Sequence, residues 1–334
     1  MILSSKQDLL DARDRISSIV HRTPVLTSST LNEMTGAEVY FKCENFQRMG
    51  AYKMRGASHA LSRLSVEQLA DGVVTHSSGN FAQAIALAAR IKGIKAVIVM
   101  PENAPVVKVE AVRGYGAEII FSGPRPADRE EAVHAVINGQ GMTFIHPSND
   151  LQVILGNSTC AQELIEEIPG LDIIIAPVGG GGLLAGTALA AHWFSPSTHV
   201  WAAEPRNVDD AFRSLQSGKI ETNERADTIA DGLRTNLGDI NFPIIRQLVN
   251  KVLLVSEEEI ISAMWWVWER MKIIIEPSSA VAVAAVIRYQ DQLRGKRIGV
   301  IISGGNADVR KLVVSSSERS ANPAESKTFA TGEK

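Results

Sequence analysis

The sequence predicts an α/β protein with mainly parallel sheets covered by helices on both faces. Two observations carry this. Four continuous apolar runs rich in Val and Ile occur at Ala96–Met100, Ile173–Val178, Val200–Ala203 and Ile298–Ile302. A strand with one wet face alternates apolar and polar residues, whereas an unbroken apolar run is a strand buried on both sides. Each run is followed by Pro, Gly, Glu or Ser and then by a helical pattern, which is the βα alternation of a parallel sheet. Asn80–Lys92, with Ala82, Ile85, Ala86, Leu87 and Ala89, and Leu183–Phe194 read as packed helices. A further helix is expected from Arg55 to Leu64. Ser256–Lys272 opens with a capping serine and three glutamates at the positive end of a helix dipole. The tryptophans in that helix, Trp265, Trp266 and Trp268, read as packing residues.

The chain has 334 residues, enough for about two domains of ordinary size. Its 34 basic and 37 acidic residues give a net charge of −3, so there is no basic excess to neutralise nucleic-acid phosphates. Two cysteines, Cys43 and Cys160, exclude a disulfide scaffold and a four-cysteine zinc site. Met1–Arg15 carries three aspartates and no long apolar core, so it is not a signal peptide, and no apolar stretch is long enough to span a membrane. A cytoplasmic protein is expected. Residues 317–334 read as a polar tail. No Pro/Gly-rich linker separates two halves, so the chain crosses between its domains more than once.

The most specific local feature is Gly179-Gly180-Gly181-Gly182, entered by a strand and left by a helix. Bare N–H groups at a helix N-terminus form an anion site, most naturally for phosphate. The pattern also loosely fits a dinucleotide loop, with Glu204 where a ribose-binding acid belongs, so a nicotinamide-dependent dehydrogenase is a competing reading. A P-loop is excluded because no Gly-Lys-Ser/Thr closes the run. Three other clusters bear on the choice. Lys53 follows a glycine turn and precedes a helix, a position that lowers the pKa of its amine and favours the neutral nucleophile. Ser77, Ser78, Gly79 and Asn80 place donors at a strand-to-helix junction, suited to a carboxylate. Ser303, Gly304, Gly305 and Asn306 end the last strand at the carboxyl edge of the sheet, where ligands bind.

With these four clusters in this order the chain resembles the fold-type II pyridoxal-phosphate enzymes. Among them it is similar to serine racemase and the serine/threonine and threo-3-hydroxyaspartate dehydratases. The resemblance runs from about Asp8 to Ser315 and includes His21-Arg-Thr-Pro, Asp227-Thr-Ile-Ala-Asp-Gly232 and Ile275-Glu-Pro277. It implies two three-layer α/β domains of the tryptophan synthase β kind. Residues 1–63 and 150–316 would form a discontinuous large domain, and residues 72–149 a small one that closes over substrate. Lys53 would carry the cofactor, Gly179–Gly182 would hold its phosphate, and Ser303 would face its pyridine nitrogen, with Asn80 also at the cofactor. Ser77, Ser78 and Asn80 would grip the substrate carboxylate, and Ser78 would act as acid or base on the face opposite Lys53. Arg129 would read a second carboxylate. The implied chemistry is elimination from L-serine, L-threonine or 3-hydroxyaspartate to a 2-oxo acid and ammonia, serine racemisation, or both.

The resemblance also implies a divalent cation, Mg²⁺ or else Mn²⁺ or Ca²⁺, held by Glu204, the Val208 carbonyl and Asp210. This gives Glu204 a task other than ribose binding. A homodimer is implied, and Ser28, Ser29 and Thr30 match part of an ATP site from which Arg48-Met49 departs. The carboxylate loop departs too: Phe81 stands where histidine is usual. Gly156-Asn157-Ser158-Thr159 replaces Gly-Gln-Gly-Thr, and Ser148 follows His146-Pro147 where a larger residue is commoner. An inactive amino-acid-binding protein of the same fold is the non-enzyme alternative.

Overall fold

The structure, a computed structural model, describes residues 3–104 and 106–309. The described strands are β1 Val25–Thr27, β2 Glu38–Cys43, β3 Val73–His76, β4 Ala96–Pro101, β5 Glu118–Ser122, β6 Thr143–Phe144, β7 Ile173–Pro177, β8 His199–Pro205, β9 Lys251–Val255 and β10 Arg297–Ile302. Six form a sheet in the order β1-β2-β10-β7-β8-β9, parallel throughout except for β1. The other four form a wholly parallel sheet in the order β5-β4-β3-β6. The four expected apolar runs are β4, β7, β8 and β10, and β4 is buried at every position. The polar tail lies outside the described residues.

Neighbouring strands bring their loops together. In the larger sheet β10 lies between β2 and β7, with Ile302 paired to Cys43 and Val300 to Ile175. The chain leaving β2 therefore reaches Lys53 beside the Ser303 loop leaving β10 and the glycine run leaving β7. In the smaller sheet β3 lies between β4 and β6, so the Ser77–Asn80 junction lies beside the His146–Asn149 loop. The site is built from the carboxyl ends of these strands, where open parallel sheets bind ligands.

The helix Leu151–Glu167 packs between the helices Lys53–Ser62 and Gly182–Phe194 through glycine contacts. A Cβ on Gly156 would lie 2.6 Å from the Arg55 carbonyl, and one on Gly186 would lie 2.7 Å from the Ile154 carbonyl. The departure at Gly156–Thr159 thus falls in a buried helix contact. The Lys53 helix begins two residues earlier than the sequence pattern indicates and ends at Ser62. No side chain caps it; instead the Tyr52 N–H donates to the Ser303 carbonyl at 3.0 Å. This tertiary bond starts the helix at Lys53. Trp265, Trp266 and Trp268 pack against the core as expected, with the Trp265 and Trp268 rings edge to face.

A buried charge cluster lies directly behind this helix start. The Arg55 guanidinium makes two bonds to Glu44 at 2.7 and 2.8 Å and two to Glu163 at 2.7 and 2.8 Å. Lys42 pairs with Glu163 at 2.7 Å and donates to the Thr23 carbonyl at 2.6 Å. Two cations thus balance two carboxylates, and the geometry is bidentate.

Candidate active site

The lysine is the first residue of the α-helix Lys53–Ser62, which follows β2 after two short 3-10 turns. Its Nζ donates to the Pro147 carbonyl at 2.7 Å and lies 5.2 Å from the Tyr52 ring and 5.4 Å from the Phe81 ring. Burial disfavours the ammonium and pushes the pKa down to about 8, while the Glu276 carboxylate opposes that shift. Phe81, which replaces the usual histidine, is therefore a wall of the amine's pocket.

The glycine run meets the same loop that receives the lysine. A Cβ on Gly180 would lie 2.4 Å from Ser148 Oγ, and one on Gly182 would lie 2.8 Å from the Ser148 carbonyl. On the other side a Cβ on Gly179 would lie 2.6 Å from Leu233 Cα. Gly181 has φ +80° and is the N-cap of the helix Gly182–Phe194, with no side chain capping it. Asn241 fixes the loop from below by donating to the Gly180 carbonyl at 2.8 Å. These contacts leave backbone N–H groups at a helix N-terminus, a cradle that fits a phosphate. The small side chain of Ser148 is what this close approach tolerates.

Ser77, Ser78 and Asn80 are half-buried at the carboxyl end of β3. Gly79 is the N-cap of the helix Asn80–Lys92, and neither Ser78 nor Asn80 caps it. The Gly79 N–H donates to Ser77 Oγ at 3.2 Å. Asn80 Nδ2 donates to both oxygens of Glu276, at 2.9 and 3.1 Å, and its Oδ1 accepts from Asn306 Nδ2 at 2.9 Å. Ser303 is buried, 3.0 Å from the Ser279 hydroxyl, and Ser279 also bonds the Gly304 backbone.

Two residues that sequence reasoning passed over belong here. His146 accepts at Nδ1 from the Ser148 and Asn149 N–H groups at 3.1 and 2.7 Å, so its ring proton sits on Nε2. Burial pushes its pKa down to about 4, with the His76 and Lys53 charges adding to the effect, so the ring is neutral. Glu276 is 5% exposed, and burial pushes it up to about 7 against its bond from Asn80. The sequence shows Glu276 only as part of the resemblance at Ile275-Glu-Pro277, a glutamate before a proline at a helix start, with no sign of its place in the site. Arg129 lies within electrostatic reach of His76, and its buried Nε has no hydrogen-bond partner among the described residues.

Glu204 and Asp210 are both 1% exposed, at the end of β8 and the start of the helix Asp210–Ser217. Glu204 accepts from the Ala211 and Phe212 N–H groups at 2.8 and 2.9 Å and so caps that helix, where Asp209 makes no side-chain cap. Asp210 accepts from Asn223 at 2.6 Å and from the Leu237 N–H at 3.2 Å. Burial and the nearby Asp210 charge push Glu204 well above the usual carboxylate range, and burial pushes Asp210 to about 6. Two buried carboxyls, of which Asp210 raises the proton affinity of Glu204, with the Val208 carbonyl in the turn between them in sequence, offer hard oxygen donors of the kind that fit a Mg²⁺- or Ca²⁺-like ion. Among the described residues no three His, Cys, Asp or Glu side chains cluster as metal ligands. Glu204 thus does the work of a helix cap, and its geometry gives the dehydrogenase reading no support. No described helix is long and apolar enough to cross a membrane.

Comparison with known proteins agrees with this geometry. A family profile described as pyridoxal-phosphate dependent enzyme matches residues 16–304. A serine racemase of Dictyostelium discoideum is 48% identical over 310 residues, covering 92% of this chain and 96% of its own. A β-hydroxyaspartate dehydratase of Paracoccus denitrificans is 44% identical, covering 93% and 99%. The solved structure of maize serine racemase has a TM-score of 0.91 at 43% identity, covering 96% of this chain and 99% of its own. The chain belongs to the pyridoxal-phosphate dependent enzymes, in the fold-type II group that holds serine racemases and the serine, threonine and hydroxyaspartate dehydratases.

Proposed function

We propose that this enzyme acts on β-hydroxy amino acids, eliminating water to an enamine whose hydrolysis takes the water back and leaves a 2-oxo acid and ammonia, and racemising Cα through the same site. One observation carries the reading: the Lys53 amine and the tetraglycine cradle meet the two ends of the single loop Pro147–Ser148. Bound pyridoxal phosphate supplies the electron sink that makes the substrate Cα–H acidic. Gly179–Gly182 would hold its phosphate and Ser303 would face its ring nitrogen. A serine there, backed by the neutral Ser279 hydroxyl, offers a hydrogen bond and no negative charge. Lys53 takes the Cα proton; an amine near pKa 8 exchanges protons readily at neutral pH. Ser77, Ser78 and Asn80, with the uncapped helix N-terminus behind them, bind the substrate carboxylate. The unpartnered Arg129 Nε suits a second carboxylate, which favours 3-hydroxyaspartate among the substrates. Residues 72–149 would close over the substrate as a small domain.

A panel of serine, threonine and 3-hydroxyaspartate, scored for 2-oxo acid and for inverted amino acid, tests the assignment. Release of 2-oxo acid from at least one of them is expected. No product from any would refute it. Ser78→Ala is expected to lower racemisation at least about a hundredfold while most of the elimination survives, because only inversion needs a group on the second face. Equal loss of both activities would refute the two-face assignment.

The cation belongs to the same proposal, held by Glu204, Asp210 and the Val208 carbonyl. Both carboxyls have raised pKa values in the fold, so without a cation they oppose folding as pH rises through those values. Mg²⁺ is therefore expected to raise the melting temperature by on the order of 2–4 °C at pH 8, and by less at pH 6. Glu204→Gln should abolish the response. A homodimer and an ATP effect at Ser28–Thr30 complete the proposal; sedimentation, and activity with and without ATP, test them.

A further inference from the structure

We propose that Glu276 is a positioning residue for this reaction, its carboxylate fixing the Asn80 amide across the cleft between the two sheets. The inference deepens the reading above and rests on it for the roles of Lys53 and Asn80. Glu276 is the N-cap of the helix Pro277–Arg288, yet its side chain makes no cap bond there. It turns instead toward Asn80, which belongs to the smaller sheet's first helix after β3, and accepts from Nδ2 at 2.9 and 3.1 Å. Gly304 makes room for this turn, because a Cβ there would lie 2.8 Å from Glu276 Oε1. The Glu276 N–H also donates to the Gly304 carbonyl at 3.1 Å, which ties the carboxylate to the loop of Ser303.

The bonds form a chain of fixed direction. Asn306 Nδ2 donates to the Met49 carbonyl at 2.8 Å, so that end is a donor. It also donates to Asn80 Oδ1, which fixes that atom as the acceptor and Nδ2 as the donor toward Glu276. A carboxylate can only accept, so it holds the amide in one orientation. Met49, Asn306 and Glu276 come from the larger sheet's loops and Asn80 from the smaller sheet. The chain therefore spans the cleft that closes on substrate.

The same carboxylate is a counter-charge for the site. Lys53 and Tyr52 feel it, and it in turn feels Asp231, Lys108 and the Asn306 N–H. Lys108 and Asp231 form an ion pair of their own between the helix Val106–Gly114 and the Asp231–Leu233 turn. His146 also faces Lys53 and is neutral. Glu276 is thus the negative group that opposes the lowering of the Lys53 pKa, and it protonates near pH 7. Below that pH the amide loses its obligate acceptor and the amine its counter-charge.

Two variants separate charge from shape. Glu276→Gln keeps an acceptor oxygen for Asn80 and loses the charge; Glu276→Ala loses both. In the full chain stripped of cofactor, acetylation of Lys53 is followed against pH by peptide mass spectrometry. The midpoint is expected to fall by about one pH unit in both variants, since removing an opposing charge favours the neutral amine. In the loaded enzyme, the alanine variant should raise KM about tenfold and the glutamine variant much less, and both should lose the acid limb of the rate profile near pH 7. If the alanine variant fails to fold, the glutamine variant decides alone. An unchanged Lys53 midpoint, or equal KM effects with the acid limb retained, would overturn the proposal. The acetylation readout needs no substrate, so its failure is distinct from failure of the substrate panel.

Discussion

Lys53→Ala is expected to reduce turnover by about a thousandfold or more on every substrate of the panel. The expectation follows from the double task assigned to one amine, covalent anchor of the cofactor and base at Cα. Among the described residues, Lys42 and Lys108 are committed elsewhere. Lys42, the nearest lysine in sequence, is buried behind the helix and committed to Glu163 and the Thr23 carbonyl. Lys108 is engaged with Asp231. The variant should fold, because Nζ makes one hydrogen bond, to Pro147, and the helix start depends on the Tyr52 backbone. Activity within tenfold of the wild type, measured as 2-oxo acid release, would contradict the assignment.

Arg55→Ala is expected to cost about 3–5 kcal/mol of stability, the range for breaking a buried ion pair from one side. Arg55, Lys42 and Glu44 have no exposed side-chain surface, so water cannot replace the lost guanidinium. One lysine would then face two carboxylates. The pH dependence of the cost has a definite sign. In the wild type burial works against the Glu44 carboxylate, but the charge and hydrogen bonds of Arg55 outweigh it and hold the pKa below the ordinary value. Such a group stabilises the fold above its unfolded pKa, and that contribution is lost as pH falls through the folded value. Without Arg55, burial prevails and the folded pKa rises, so the destabilisation appears as pH rises through it. The gap between variant and wild type should therefore be widest at neutral pH and narrow toward pH 4–5. Denaturant unfolding at several pH values measures it. A gap independent of pH would show that lost packing, rather than an unpaired charge, is the cause.

Motifs contiguous in sequence were legible without coordinates. Lys53 after its glycine turn, Gly179–Gly182 and Ser77–Asn80 each occupy a strand end followed by a helix, and Ser303 ends the last strand; local pattern is enough to place them. What the sequence hid was assembled over long distances. Glu276 meets Asn80 across 196 residues, and nothing about a glutamate before Pro277 says that its side chain turns away from its own helix. The charge cluster joins Thr23, Lys42, Glu44, Arg55 and Glu163 from four elements and a loop, so no single window reveals it. His146 read as part of a departure from pattern, and only its geometry shows it neutral and facing the amine. The helix start at Lys53 was misplaced because the bond that sets it comes from Ser303, some 250 residues away in sequence. Phe81 was visible as a substitution, but its place against the Lys53 amine was not.

The central claim is that the amine of Lys53 carries the cofactor beside the glycine cradle. Borohydride reduction of the pyridoxal-phosphate-loaded protein, followed by peptide mapping, tests it most directly. The account predicts one reduced phosphopyridoxyl adduct, on Lys53, and none at this site in a Gly181→Asn variant, whose Cβ at φ +80° would lie 2.6 Å from Asn241 Oδ1 and 2.8 Å from the Leu237 side chain and so displace the loop that forms the cradle. An adduct confined to another lysine, or a wild-type protein that takes up no label, would contradict it.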